Sequence, residues 1–393
     1  MNISKNIKVL SWFNFLFDFR LYPVVAIIYF AQVTHSYALG ISLFSIAQIV
    51  QAVFEVPTGI YSDKIGRVNS LRLGALVSVF SIVFYAIGQF YWILFIGAIF
   101  EGVWRAFFNG NNDALLYETV KASGQKITYH ETLGKVSSIL ELAGFLGTVI
   151  GGVIAYKSFA LLMWLSVIPQ ILALAVSFGF IEPPIHREKI GSIYSHLKDS
   201  LSSYKNNIKL RDLSLAKIIG YGIGEATWSF QSAFYNSVLP LWIVGFVMSL
   251  NFLASVISYR LSGRIIAKVK ALNLLIFQEI YSRFLDITAL VYPTVISPFL
   301  MAAASIFYGS GVVAESTLLQ KEFSDKQRAT LPSINSLFGN IFFSIFAVII
   351  GLSADKFGIA KSLLIAQICL LPVLLLYIRT LRFDKKSAIK LQE

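Results

Sequence analysis

Charge is what this sequence has least of. Asp, Glu, Lys and Arg make up 14% of its 393 residues, where a soluble chain carries about a quarter. Set against 56% hydrophobic residues, that scarcity excludes a soluble enzyme. Cysteine is nearly absent: Cys369 stands alone in a late apolar run, which excludes a disulfide framework. Neither H-E-x-x-H nor G-x-x-x-x-G-K-[S/T] occurs, so zinc proteolysis and ATP hydrolysis are not indicated and no metal or cofactor is expected. His35, His130, His186 and His196 all fall outside the middles of the apolar runs.

What is present is a succession of apolar runs, each of about 20 residues or more, the length that crosses a bilayer as a helix. They fall near 9–33, 38–61, 71–89, 90–116, 131–156 and 158–181, then 213–236, 238–260, 271–292, 297–320, 331–354 and 359–381. The first follows a short basic start without a small-residue cleavage site, so it reads as a retained helix rather than a signal peptide. The expected fold is therefore an all-α membrane protein of twelve transmembrane helices in two six-helix halves. Residues 1–184 form the N-terminal half, 185–212 a linker, and 213–393 the C-terminal half.

The net charge of +12 raises the question of nucleic acid, and its distribution answers it. With the N-terminus in the cytoplasm, only Lys157, Lys356 and Lys361 fall in outside loops, and Arg20, Arg105 and Arg283 fall inside helices. Every other Lys and Arg lies on the cytoplasmic side, as the positive-inside rule requires. Both termini are then cytoplasmic, the location is the cell (inner) membrane, and no nucleic-acid partner is expected. In the linker, Ile190, Ile193, Tyr194, Leu197, Leu201 and Tyr204 follow helical spacing among lysines, which reads as an amphipathic helix on the membrane surface.

Between the second and third runs stands Gly59-Ile60-Tyr61-Ser62-Asp63-Lys64-Ile65-Gly66-Arg67. It reads as a helix end, a reversal and a new helix. Gly59 allows close packing, Gly66 takes the positive φ of the turn, and Asp63, Lys64 and Arg67 keep the turn in water. This stretch resembles the loop between helices 2 and 3 of the major facilitator superfamily of transporters. The match holds at Gly59, Asp63, Lys64, Gly66 and Arg67, with Val68 where a further basic residue often follows. The resemblance implies a cytoplasmic gate in which Asp63 faces the start of the eleventh helix near Thr330, with Glu55 one turn before Gly59 in support. A second copy of the loop is expected after the eighth run, where 258–264 offers only a degenerate version.

In the fifth run, Gly134, Ala143, Gly147, Thr148, Gly151 and Gly152 resemble the helix-5 signature of antiporters in this superfamily, with Ala143 and Thr148 as departures. Small residues at this spacing allow close helix approach whichever way substrate moves; the resemblance tilts the direction towards export.

Charges inside membrane helices are costly, and they mark functional sites by default. The first run holds Asp18 and Arg20, two apart and so not on one helical face. The fourth holds Glu101 and Arg105, one turn apart: either coupling residues or a static pair that fixes packing. The fifth adds Glu141, the seventh Glu225 with Trp228 and Gln231 at helical spacing, and the tenth Glu315. Since helices 1, 4, 7 and 10 line the cavity in the superfamily, the resemblance implies proton-coupling roles among Asp18, Arg105, Glu101, Glu141 and Glu225. It implies substrate contacts among Arg20, Arg105, Glu225, Trp228 and Gln231. Asp18 is expected to carry the proton, with Arg105 as its partner. The ninth run carries Glu279, Arg283 and Asp286 on one face, a stripe read as a structural network.

The function these features imply is proton-coupled export of a small zwitterionic, peptide-like or amphiphilic molecule by alternating access. The expected partners are that small-molecule substrate, protons and the lipid bilayer, and the chain is expected to be a monomer. Two alternatives stay open: uptake of a metabolite or organic anion bound by Arg20 and Arg105, and a non-transporting receptor on a transporter fold.

Overall fold

Pro23 interrupts the first apolar run. Helix α1 (Ile3–Asp18) ends before it, a 3₁₀ turn covers Pro23–Val25, and α2 (Ala26–Thr34) resumes. The single helix expected over 9–33 is therefore two, because proline lacks the N–H that would bond one turn back and its ring crowds the preceding turn. The computed structural model describes residues 3–109, 111–122, 129–183, 204, 207–323 and 330–390. The amphipathic helix expected in the linker lies outside the described residues, apart from Tyr204.

The remaining helices are α3 (Tyr37–Ile65), α4 (Arg67–Ile87), α5 (Tyr91–Phe108), α6 (Asn111–Lys121), α7 (Tyr129–Lys157) and α8 (Phe159–Ser177). They continue with α9 (Ile208–Val238), α10 (Leu241–Val269), α11 (Ala271–Val291), α12 (Ser297–Ala304), α13 (Tyr308–Glu322), α14 (Thr330–Phe357), α15 (Ile359–Cys369) and α16 (Leu371–Lys390). Ten segments among the described residues are long and apolar enough to cross a membrane. Helices α9 and α11, of 31 and 21 residues, complete the twelve. What sets α11 apart from the ten is its three charges, Glu279, Arg283 and Asp286, and α9 is the more polar along its whole length. Side-chain caps start several of the helices. Ser36 Oγ accepts from Leu39 N at 3.1 Å, Ser158 Oγ from Leu161 N at 3.2 Å and Asn207 Oδ1 from Leu210 N at 3.0 Å, each taking up an N–H that the helix leaves without a partner.

The chain divides into two units: Met1–Glu188 with Pro240–Ser249, and Lys189–Leu239 with Leu250–Glu393. The first has an aromatic core. Phe13 and Phe17 of α1 are buried; the Phe17 ring stacks on Phe108 at 4.7 Å and meets Trp104 edge-on at 4.9 Å. Trp12, on the other face, is 63% exposed. In the second unit, Lys209 at the start of α9 reaches Glu322 at 3.2 Å and Asp384 at 3.1 Å, tying α9, α13 and α16 together. Burial works against its charge, and the two carboxylates outweigh that and hold the ammonium above the ordinary lysine range.

One backbone conformation recurs at three junctions. Gly66, between α3 and α4, has φ 97, ψ 158; Gly358, between α14 and α15, has φ 83, ψ 160; Lys270, between α10 and α11, has φ 67, ψ 145. The second copy of the loop was expected at 258–264, but those residues lie within α10. The reversal comes at Lys270 because the α10 helix runs on through its last basic turn. A lysine in this glycine-favouring region is strained by about 1–3 kcal/mol. Lys270→Gly is therefore expected to raise stability, by about 1 kcal/mol after the added chain entropy is counted, read as a higher apparent Tm.

Candidate functional site

The break after Asp18 brings together what helical spacing kept apart. Residues two apart on a helix point different ways, but Phe19–Tyr22 is not α-helical, and Arg20 N donates to Asp18 O at 2.7 Å. Arg20 Nη2 then reaches Asp18 Oδ1 at 3.0 Å. The Asp18 side chain is 36% exposed and that of Arg20 18%. Arg20 Nε is buried with no hydrogen-bond partner among the described residues.

Arg105 has a different partner from the one expected. Its Nη2 and Nε donate to Glu101 Oε1 at 2.6 and 3.1 Å, and Tyr85 OH donates to Glu101 Oε2 at 2.7 Å. Both Glu101 oxygens are taken, and its side chain is 3% exposed. The expected Asp18–Arg105 pair is thus replaced by two local pairs, Asp18–Arg20 and Glu101–Arg105. The cause is geometric: each arginine has an acid within one turn on its own segment. Trp104 is close to both, with the Arg20 guanidinium 5.2 Å and the Arg105 guanidinium 5.4 Å from its ring centroid, a cation–π contact to each. Glu141 of α7 is close enough to feel the Asp18 charge.

The glycines of α7 explain how the break is held. A Cβ added at Gly147 would sit 2.7 Å from the Arg20 carbonyl oxygen, and one at Gly151 would strike the Leu21 carbonyl. Gly152 packs on Gly245, whose Cα would lie 2.8 Å from an added Cβ. The small face of α7 thus lies against the unwound backbone of the first segment. Gly134 falls in α7, with surroundings outside the described residues.

In the second unit, Glu225, Trp228 and Gln231 share a face of α9 but have separate neighbours. Glu225 lies within electrostatic range of Tyr308, Trp228 meets Phe252 edge-on at 6.1 Å, and buried Gln231 accepts from Tyr235 OH at 3.4 Å. Glu315 is engaged by Tyr377 OH at 3.0 Å and Lys217 at 3.5 Å. The α11 stripe is joined through another helix: Arg283 donates to Gln367 Oε1, and Gln367 Nε2 donates to Asp286 Oδ2 at 3.2 Å.

The 59–67 loop differs from expectation in two places. Gly59 faces open space, with nothing within 4 Å of an added Cβ; its neighbour Thr58 makes the helix contact, donating to Ala106 O at 3.1 Å. Arg67 does not project into water. Its Nη1 donates to Ser62 Oγ at 2.7 Å and to Asn111 Oδ1 at 3.0 Å, and its Nε lies 3.6 Å from Glu118. The guanidinium turns inward because these acceptors lie on the helices beside it. Glu55 and Lys64 are exposed, and the Asp63 side chain lies outside the described residues.

Glu182 is the residue the sequence reading missed. Its Oε1 accepts from Arg67 N and its Oε2 from Val68 N, both at 2.8 Å, so it caps α4 from the end of α8's segment. An acid at a helix N-terminus gains from both the N–H groups and the dipole. A Cβ on Gly66 would sit 2.8 Å from that carboxylate. The signal was present: an acid stands at a membrane boundary otherwise rich in lysine and arginine. Glu182→Ala is expected to cost about 1 kcal/mol. Gly66→Ala is expected to cost more, through φ strain and the carboxylate clash together. In a double-mutant cycle, Gly66→Ala costs less on the Glu182→Ala background than alone; equal costs in apparent Tm would contradict the contact.

The sequence model of the Major Facilitator Superfamily matches residues 9–347. No curated protein matches the chain. Among solved structures, a mutant form of the nucleoside transporter NupG is similar at TM-score 0.82 and 13% identity, covering 96% of this chain and 100% of that one. A bacterial homolog of the human lysosomal transporter Spinster, inward-facing and occupied, is similar at TM-score 0.77 and 15% identity, covering 97% and 96%. A mutant form of the E. coli fucose:proton symporter FucP is similar at TM-score 0.60 and 12% identity, covering 97% and 99%. At these identities the likeness is one of fold.

Proposed function

The chain belongs to the Major Facilitator Superfamily, and from that membership we propose that it is a proton-coupled transporter of a small organic molecule. It works in the cell (inner) membrane with both termini in the cytoplasm and moves its substrate outwards by alternating access. The observation that carries the reading is the Asp18–Arg20 pair at a break in a membrane helix, partly open to solvent. Arginine keeps its charge at any working pH, so the acid is the member that gains and loses a proton. Glu101 is less suited to that task, since both its oxygens are occupied and buried. Asp18 is therefore the proton carrier, Arg20 its counter-charge, and Glu141 the neighbouring acid that can share the proton. The fucose:proton symporter that shares the fold is named for proton coupling, which supports the class of mechanism.

Arg20 also has a buried Nε with no partner among the described residues, and such a group is costly unless something comes to pair with it. A carboxylate or phosphate on the substrate would supply the acceptor. An organic anion or a zwitterion presenting its carboxylate fits this better than an uncharged sugar. Export rests on the resemblance of the α7 glycines to the antiporter signature.

The test is in two stages. A thermal-shift screen of purified protein against small metabolites and antibiotics finds the substrate, because a ligand of the folded state raises apparent Tm. Counterflow in proteoliposomes then measures exchange of that compound. Exchange that an imposed proton gradient converts to accumulation is the expected result; binding without any flux would mean a receptor.

A further inference from the structure

A groove of about 620 Å³ runs between the start of α1 and the end of α8. Lys5, Lys8 and Trp12 form one wall, at positions i, i+3 and i+7 along one helical face. Ala175, Val176 and Gly179 form the other. The groove exists because the second wall is built of small residues; even a Cβ on Gly179 would come within 3.3 Å of Val9. Its walls are fixed. Asn6 Nδ2 donates to Ile181 O at 3.1 Å and to Thr119 Oγ1 at 2.9 Å, and Ile181 N donates back to Asn6 Oδ1 at 3.1 Å. Arg72 secures the end of α8's segment by donating to Ser177 O at 3.2 Å.

We propose that this groove binds an anionic phospholipid, with its phosphate at Lys5 and Lys8 and one acyl chain along Trp12. Charge and depth both support that occupant. Two of the described lining residues are lysines and none is acidic. The membrane spans begin at Lys5 on one wall and end at Ser177 on the other, so the mouth of the groove lies at a membrane boundary. Trp12 stands four residues beyond Lys8, about 6 Å deeper along the helix. The ammonium groups therefore sit at headgroup level, and the exposed indole at the interface with the acyl region, where tryptophan is favoured. Basic pockets between membrane helices suit anionic headgroups, and the apolar floor suits a lipid over a free anion.

The experiment titrates the delipidated full chain in detergent, following apparent Tm. The additions are phosphatidylglycerol, phosphatidylcholine with the same acyl chains, and soluble glycerol phosphate. Phosphatidylglycerol is expected to bind about tenfold or more tightly than phosphatidylcholine, the scale set by two boundary lysines, and glycerol phosphate alone to give no shift. Lys5→Gln with Lys8→Gln removes the difference between the two lipids. Ala175→Leu, which fills the groove, weakens both. Arg264→Gln with Lys268→Gln, an equal loss of exposed charge elsewhere, leaves the preference intact. The proposal is overturned by a preference that survives in the Lys5/Lys8 variant, by one lost equally in the Arg264/Lys268 variant, or by a full shift from glycerol phosphate.

Discussion

Asp18→Asn is expected to abolish proton-driven accumulation while substrate affinity stays within a few-fold of wild type. The substitution keeps the shape and a hydrogen-bond acceptor for Arg20, whose Nη2 sits 3.0 Å from Oδ1, but it cannot take up and release a proton. Counterflow, which needs binding and the conformational cycle but no net proton movement, survives. The comparison variant is Glu101→Gln. It leaves the half-buried Arg105 facing a neutral amide where it now has two bonds to a carboxylate. Removing one partner of a fully buried pair costs about 3–5 kcal/mol; here the Arg105 side chain is 31% exposed, so the loss is smaller, and its signature is a lower apparent Tm. Asp18→Asn thus loses coupling with little loss of stability, and Glu101→Gln loses stability first. Proton-driven accumulation by Asp18→Asn at the wild-type level would contradict the assignment.

Gly151→Leu is expected to lose transport altogether. An added Cβ there meets the Leu21 carbonyl, a backbone atom that cannot rotate away, and a leucine carries three more carbons beyond it. Overpacking alone costs about 1–3 kcal/mol. The larger effect is on the cycle, since α7 cannot seat against the unwound turn that holds Asp18 and Arg20. Gly147→Leu meets the Arg20 carbonyl, at 2.7 Å from the Cβ, and should behave in the same way. Gly263→Leu is the control, because nothing lies within 4 Å of its added Cβ. Full transport by Gly151→Leu in proteoliposomes would sink the packed glycine face.

The membrane spans were legible because a bilayer imposes one simple demand, about 20 apolar residues per helix, and the chain meets it repeatedly. Helices α9 and α11 were legible too, although their charges lower their apolarity, because the apolar residues around Glu225 and Glu279–Asp286 still fill a span. Side-chain partners were less legible. Asp18 and Arg20 point apart only on a continuous helix, and Pro23, five residues on from Asp18, breaks it. For Arg105 the spacing offers two partners, distant Asp18 and Glu101 one turn away, and the structure shows the local one, with Tyr85 closing off its other oxygen. Arg67 looked like a solubilising charge because its acceptors, Ser62, Asn111 and Glu118, are spread over two other helices and share no spacing with it. Glu182 was hidden for the same reason: its partners are the backbone N–H groups of Arg67 and Val68, which no side-chain pattern reveals. Gly66 was legible, since a reversal of that tightness needs positive φ, but its second reason, the carboxylate beside it, was not.

The most direct measurement is substrate-induced proton release from detergent-solubilised protein, followed with a pH indicator in weakly buffered solution. Wild-type protein should release protons on substrate addition, because the positive group of a zwitterion, drawn to Asp18 while its carboxylate pairs with Arg20, favours the charged carboxylate and displaces the proton. Asp18→Asn should bind the same substrate and release none. Release of wild-type size from Asp18→Asn would contradict the account and move the proton to Glu141 or Glu225.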